Sequence, residues 1–265
     1  MTYALLDSGN GEKLEQFGDY RLIRPAPQAL WNPQFLPLWQ EADGTFKRTA
    51  SWKGVPKCWT LQYESLHLKL VPTDFGHLGF FPEHALHWKW LGERLKKGAH
   101  VLNLFAYSGA TTAYLAKKGC SVCHLDAAKG AVDWARENGR LNRLDQAPIR
   151  WIVDDVFKFL RRESKRGRQY DALILDPPSF GRGSQGQVFK IERDLLSLLD
   201  LCRKVLVQKP LFVLLTCHTP GLTPQVLRQV CSQMFPTLSI DSGEMLLPSK
   251  GFDLPSGSYA RGVYD

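Results

Sequence analysis

Three acidic positions close short apolar runs. Asp126 ends SVCHLD, Asp154 and Asp155 follow IRWIV, and Asp176 follows DALIL and opens an Asp-Pro-Pro triplet. A carboxylate placed at a strand end accepts two hydroxyl donors well, and also an exocyclic amine. Asp126 lies about 20 residues beyond the turn FAYSGA, the separation at which a carboxylate meets a ribose hydroxyl pair in a nucleotide-type βαβ unit. That turn holds Gly109 alone, with Tyr107 and Ser108 filling the space before it. A GxGxxG turn uses its glycines so that the backbone can approach a pyrophosphate. FAYSGA offers no such approach, and the sequence has no GxxxxGK[ST]. The pattern argues against dinucleotides and nucleoside triphosphates. It favours a cofactor without phosphates, such as S-adenosylmethionine.

The elements that must position these residues alternate. The segment 101–126 reads as a buried strand (VLNLFA), a turn, a helix (TTAYLAKKG) and a second strand (SVCHLD). Helix 127–142, strand 149–155, helix 156–167, strand 170–176, loop 177–186, a helix over about 188–207, strand 211–217, helix 224–235 and strands 237–247 and 259–265 follow. Alternating β and α of these lengths predicts an α/β fold with right-handed crossovers, a Rossmann-like seven-stranded sheet. The last two strands have no helix between them and are expected to pair antiparallel at one edge. Ligands in such sheets sit beyond the carboxyl ends of the strands.

Upstream the texture changes. Short apolar and aromatic runs split by Pro, Asp-Gly and Lys-Gly predict a small β-rich domain over residues 1–75, with the cofactor domain over 76–265. Asp43-Gly44 is a hairpin candidate. Trp31, Trp39, Trp52 and Trp59 are either base-stacking residues or the core of a small sheet. GFFPEH, followed by a helical run HALHWKWLGERL, is placed to cover a bound cofactor.

The chain has 265 residues, 44% of them hydrophobic, and a formal net charge of +8. A basic surface attracts polyanions, so nucleic acid is the first partner to consider. Lys158, Arg161, Arg162, Lys165, Arg166 and Arg168 cluster in one helix and its end, although cations near a helix C-terminus are favourable anyway. No apolar run approaches a membrane span and the first residues resemble neither a signal nor a transit peptide, which predicts a cytoplasmic protein. The six cysteines are scattered, mostly in apolar segments, and read as buried free thiols. Cys120-Ser-Val-Cys123 lacks a second CxxC and lies on a predicted strand, so no metal is expected.

VLNLFAYSG (101–109), HLDAAKGAVDWARENGRLN (124–142), DDVFKFL (154–160) and DALILDPPSF (171–180) resemble the class I S-adenosylmethionine-dependent methyltransferases. Within them they are similar to the bacterial branch acting on large-subunit ribosomal RNA. The resemblance covers roughly residues 76–265. It implies a cofactor site of Phe81, Asn103, Phe105, Ala106, Tyr107, Ser108, Gly109, Asp126, Asp155, Val156, Asp176 and Pro178. The turn would wrap the methionine part, Asp126 the ribose hydroxyls, and Asp155 with Val156 the adenine. Asp176, Pro177 and Pro178 would face the sulfonium and the target base, for which consecutive prolines make a stiff wall.

The expected reaction is methylation of an RNA base, with Asp176 and Cys217 as catalytic candidates. Carbon 5 of a pyrimidine reacts only after a thiolate adds to carbon 6, and Cys217, at the end of LLTC beside His218, is the thiol available. The competing reading is a small core residue finishing a strand, with direct attack by a base nitrogen. Ser179, Phe180, Arg182 and Lys190 follow Asp-Pro-Pro and are candidates for RNA contact. The alternatives are a methyltransferase for a small molecule or protein, and a non-catalytic RNA-binding protein that retains the fold.

Overall fold

The computed structural model describes residues 2–182, 186 and 188–264, with Arg182 given by its backbone alone. The chain divides into two compact units, Met1–Leu86 with Leu246–Ser256, and His87–Met245 with Gly257–Asp265. The sequence reading drew its boundary at residue 75. The tip of the last hairpin belongs to the first unit, because Leu247 and Leu254 are buried in one cluster with Leu5, Ala26 and Ala29.

The first unit holds β1 (Tyr3–Gly9), β2 (Glu12–Phe17), β3 (Tyr20–Pro25), a short helix α1 (Leu36–Trp39), β4 (Gly44–Lys47) and β5 (Ser51–Lys53), forming a five-stranded sheet in that strand order. A separate hairpin pairs β6 (Trp59–Tyr63) with β7 (Leu66–Leu70), and α2 (Pro82–Ala85) follows. The sheet is pinned by a buried ion pair in which Arg24 donates Nε to Glu15 Oε2 at 2.7 Å and Nη2 to Oε1 at 2.9 Å. Burial, the largest single influence, would raise the Glu15 carboxyl, but the charges and hydrogen bonds of Arg24 and Lys13 together outweigh it and hold it at about 2. Each of the four tryptophans spends its indole N–H inside this unit. Trp31 donates to the Ser8 carbonyl, Trp39 to Asp7, Trp52 to the Thr73 carbonyl and Trp59 to the Phe17 carbonyl. They are the frame of the sheet, as their alternative reading had it. Asp43-Gly44 is not a hairpin turn. It leads into β4, which runs parallel to β3, and the Asp43 carboxylate accepts the Arg21 N–H at 2.6 Å.

The second unit begins with α3 (Trp88–Arg94), so the helix expected from residue 84 is two short helices split between the units. Then come β8 (His100–Leu104), α4 (Ala110–Lys117), β9 (Ser121–Asp126), α5 (Lys129–Leu141), β10 (Ile149–Val153), α6 (Val156–Lys165), β11 (Ala172–Leu175), β12 (Phe180–Arg182), β13 (Val188–Lys190), α7 (Ile191–Lys204), β14 (Phe212–Cys217), α8 (Pro224–Met234), β15 (Leu238–Leu247) and β16 (Leu254–Tyr264). The seven-stranded sheet has the order β10-β9-β8-β11-β14-β16-β15. β8 to β11 and β14 pair in parallel, whereas β16 runs antiparallel to β14. This is the Rossmann-like sheet with a reversed edge that the alternation predicts. β8, β11 and β14 are near-continuous apolar runs because helices cover both faces; Leu102, Leu173, Leu175, Val213 and Leu215 lie in the main core. The region after Asp-Pro-Pro differs from the loop expected there. β12 and β13 pair antiparallel and α7 starts at Ile191. Residues 183–185 of that segment lie outside the described residues.

Candidate active site

Strand order sets the site. β8 and β11 are neighbours, yet their crossovers leave in opposite directions along the sheet, which makes the carboxyl ends of these two strands the switch point where an open α/β sheet binds its ligand. Reading across that edge, the structure places Asp155 after β10, Asp126 at the end of β9, the 105–109 turn after β8, Asp176 after β11 and Cys217 at the end of β14. Adjacent strands lie about 4.8 Å apart, so the row from Asp155 to Asp176 spans roughly 15 Å.

The turn after β8 is strained. Phe105, Tyr107 and Gly109 all have left-handed backbone, at φ 56°, 49° and 79°. For the two non-glycine residues this costs about 1–3 kcal/mol each and persists only where the surroundings enforce it. Asp126 Oδ2 accepts the Tyr107 N–H at 3.0 Å, the Leu125 carbonyl accepts that of Ala106 at 3.0 Å, and Asn138 Nδ2 donates to the Ser108 carbonyl at 2.8 Å. Gly109 precedes α4, and a Cβ there would lie 2.7 Å from Ala135 Cβ. The single glycine thus serves close helix packing and a left-handed turn.

Asp126 is oriented from both sides, since Oδ1 accepts the Ala128 N–H at 2.9 Å. Burial raises its carboxyl above the ordinary aspartate value, and these backbone donors partly offset the rise. Burial, with the Asp126 charge second, also pushes the Tyr107 phenol up to about 12. Asp155 caps α6 by accepting the Lys158 N–H at 2.9 Å, with Val156 buried next to it. Asp154 is taken by Arg162 and by the Asp155 N–H. Asp176 Oδ1 accepts the Thr216 hydroxyl at 2.7 Å and stands 3.7 Å from His218 Nε2. Pro178, Ser179 and Phe180 are exposed beside it, and Ser179 Oγ and Thr219 Oγ1 are 2.7 Å apart.

Other expected residues fall elsewhere. Asn103 is buried and turns inward: its Nδ2 donates to Thr112 Oγ1 at 3.0 Å, and that hydroxyl lies 2.9 Å from His124 Nδ1. It braces the turn from beneath. Phe81 belongs to the first unit, where its ring meets His77 at 5.1 Å and His84 at 5.5 Å. The Arg182 side chain lies outside the described residues. Lys190 is exposed, and its backbone N–H goes to Asp194. Cys217 is 1% exposed; its Sγ accepts the Thr219 N–H at 3.4 Å, and burial pushes its thiol up. That is the opposite of an activated nucleophile, which needs a depressed pKa or an adjacent base.

Three residues went unread in the sequence. Thr216 holds the acceptor-side carboxylate. Gly257, at φ 124°, leaves room for the end of β14, since a Cβ there would lie 2.8 Å from the Cys217 carbonyl. Phe189 of β13 reaches the Phe105 ring at 5.6 Å and the Phe157 ring at 6.4 Å, tying the β12–β13 hairpin to the turn.

The sequence model described as S-adenosylmethionine-dependent methyltransferase matches residues 49–247. The chain belongs to that family. A ribosomal RNA large subunit methyltransferase I from Aeromonas hydrophila is 34% identical over 202 residues, covering 74% of this chain and 49% of the relative. A ribosomal RNA large subunit methyltransferase K from Neisseria meningitidis is 34% identical over 130 residues, covering 48% of this chain and 36% of the relative. The chain thus spans about half the length, or less, of these curated relatives. The crystal structure of a SAM-dependent methyltransferase from Agrobacterium tumefaciens superposes with a TM-score of 0.95 at 36% identity, covering all of this chain and 91% of that one.

The residues present fit the family's cofactor. S-adenosylmethionine carries a ribose diol and an adenine amine but no phosphate. Asp126, which accepts two backbone N–H groups, would hold the diol, and Asp155 with Val156 would hold the adenine. The turn, without phosphate-cradling glycines, is left for the amino-acid end. The cofactor supplies an electrophilic methyl group on its sulfonium.

Proposed function

We propose that this methyltransferase modifies a base of large-subunit ribosomal RNA, and that the attacking atom is a base nitrogen. The observation that carries this reading is the order of groups along the sheet edge. Two donor-side carboxylates, the turn and then Asp176 follow one another, so that Asp176 stands next to the position where the methyl would be delivered. Beyond it the exposed Pro178, Ser179 and Phe180 form a surface with an aromatic ring 49% exposed, suited to a base taken out of its stack. The relatives named as large-subunit ribosomal RNA methyltransferases support RNA as the acceptor.

Asp176 is the group that touches substrate. It accepts a hydrogen bond from the acceptor N–H, which orients the nitrogen lone pair toward the methyl. Thr216 fixes the rotamer of Asp176, and Pro177 and Pro178 form a wall with few backbone donors, which limits water. Cys217 has no part in this route, in keeping with its burial and raised thiol.

The test is transfer of tritiated methyl from S-adenosylmethionine to protein-free large-subunit ribosomal RNA. The expected label is on a base nitrogen, and Cys217→Ala retains at least half of the rate. Label confined to a protein or small-molecule acceptor would remove the RNA assignment. Loss of 100-fold or more in Cys217→Ala, with S-adenosylhomocysteine still bound, would install carbon-5 chemistry instead.

A further inference from the structure

The basic cluster that stands out in the sequence, on α6, is partly engaged within the fold. Arg162 pairs with Asp154, Arg166 lies 3.5 Å from Glu163, and the Arg161 guanidinium sits over the Phe157 ring at 5.7 Å. A second set of exposed cations stands in a stretch of the sequence that holds no acid. Lys47, Arg48, Lys53 and Lys57 lie on or beside the β4–β5 hairpin of the first unit, all exposed, and none of their side chains has an ion-pair or hydrogen-bond partner among the described residues. Residues 44–63 contain no acid at all. The nearest acids before them are occupied: Glu41 pairs with Arg21, and the Asp43 carboxylate accepts the Arg21 N–H.

The hairpin is a firm platform. Phe46 pairs across to Trp52 with ring centroids 5.1 Å apart, and the Trp52 N–H is held by the Thr73 carbonyl at 2.8 Å. Phe46 is buried, and the Gly76 backbone lies against its ring. In the observed register Thr45 faces Lys53 and Lys47 faces Ser51, so Lys47 and Lys53 are diagonal neighbours on the face opposite Phe46 and Trp52. Like charges on one face of a hairpin are destabilising. Lys47 and Lys53 on that face, with Arg48 and Lys57 just outside the strands and no acid among residues 44–63, are a cost to the fold that a polyanion would offset.

We infer that the outer face of the β4–β5 hairpin, with Lys47, Arg48, Lys53 and Lys57, is a docking surface for the RNA phosphate backbone. The inference rests on RNA being the acceptor and adds where its affinity comes from. Phosphate contacts position a nucleic acid without reading its sequence. The hairpin supplies affinity, while the carboxylate row supplies chemistry. The competing explanation is that Lys53 on β5, the last strand of its sheet, and the cations beside it guard an open edge against pairing with another chain.

The experiment measures binding of protein-free large-subunit ribosomal RNA by the full chain across a salt series. It compares the wild type, the variant Lys47→Ala/Arg48→Ala/Lys53→Ala/Lys57→Ala, and a control that removes equal charge at Lys89, Lys96, Lys97 and Lys204. Loss of four phosphate contacts lowers the slope of log K against log salt by about 3 and weakens binding about tenfold or more at physiological salt. The hairpin variant is expected to show both effects, with KM for RNA raised, kcat at saturating RNA kept and S-adenosylhomocysteine affinity unchanged. The control is expected to change the slope by less than 1. Equal slopes for wild type and hairpin variant, or equal losses in variant and control, overturn the docking surface. Aggregation of the hairpin variant with unaltered RNA affinity would assign the charges to edge protection. A wild type that neither binds nor methylates this RNA instead removes the acceptor reading on which the inference stands.

Discussion

Asp126 reaches its conformation through the backbone of its own neighbours. Tyr107 and Ala128 each give it one N–H. A carboxylate held in this way loses little entropy when two hydroxyls arrive, and each bond from a neutral donor to a charged acceptor is worth about 1.5–3 kcal/mol. Asp126→Ala is therefore expected to weaken S-adenosylhomocysteine binding at least tenfold by calorimetry; an unchanged dissociation constant would remove the ribose role. The variant also releases the Tyr107 N–H, so Asp126→Asn, which keeps an acceptor for it, separates the lost charge from a relaxed turn. The strand-end acids were legible because each follows an apolar run within one short segment. Thr216 was not, because its partner Asp176 is 40 residues away and nothing local marks it. Asn103 was misjudged for a related reason. Its place before the turn suggests the cofactor, but its partners Thr112 and His124 turn it inward.

β8, α4 and β9 are joined under the site by the chain Asn103–Thr112–His124. Thr112 Oγ1 accepts from Asn103 Nδ2 and lies 2.9 Å from His124 Nδ1, while His124 Nε2 is buried with no hydrogen-bond partner among the described residues. Burial pushes His124 down to about 3, with Arg136 adding to the shift. Between pH 6.5 and 3 the unfolded chain therefore binds a proton that the folded chain refuses, so stability rises with pH through that window and falls on acidification. The slope from this group reaches about 1.4 kcal/mol per pH unit. Urea unfolding at a series of pH values should show that slope in the wild type and a shallower acid limb in His124→Gln; parallel curves would mean that the ring is not excluded from protonation. Elements of this kind were legible from periodicity, and the seven strands and their helices fall close to where apolar runs place them. The failures were short elements. The three-residue strands β12 and β13 lie on either side of a glycine-rich stretch and are too short for alternation to register. Asp43-Gly44 has hairpin composition, but its aspartate is used for a contact with Arg21.

The molecule as a whole separates charge from chemistry. Its carboxylate row and strained turn lie in the second unit, and the unpaired cations of the β4–β5 hairpin lie in the first. Net charge was legible in the sequence; which cations find partners was not, since that depends on side-chain contacts such as Arg162 with Asp154 and Arg150 with Glu163. Among the described residues no helix is long and apolar enough to cross a membrane. The separation predicts how the chain responds to its two ligands. S-adenosylhomocysteine binds the native state alone, so at 100 times its dissociation constant it adds about 2.7 kcal/mol. For a unit of this size each kcal/mol moves Tm by about 2–4 °C, which gives a rise of roughly 5–10 °C. Hydrogen bonds to a ribose and an adenine release no condensed counterions, so the rise is expected to persist at 0.5 M salt, where RNA affinity has collapsed. It is also expected in the four-cation variant of the hairpin. Differential scanning calorimetry at low and high salt measures both. No rise at saturating ligand would sink the cofactor site, whereas a rise lost in the four-cation variant would mean that the hairpin charges act on the second unit and not on RNA alone.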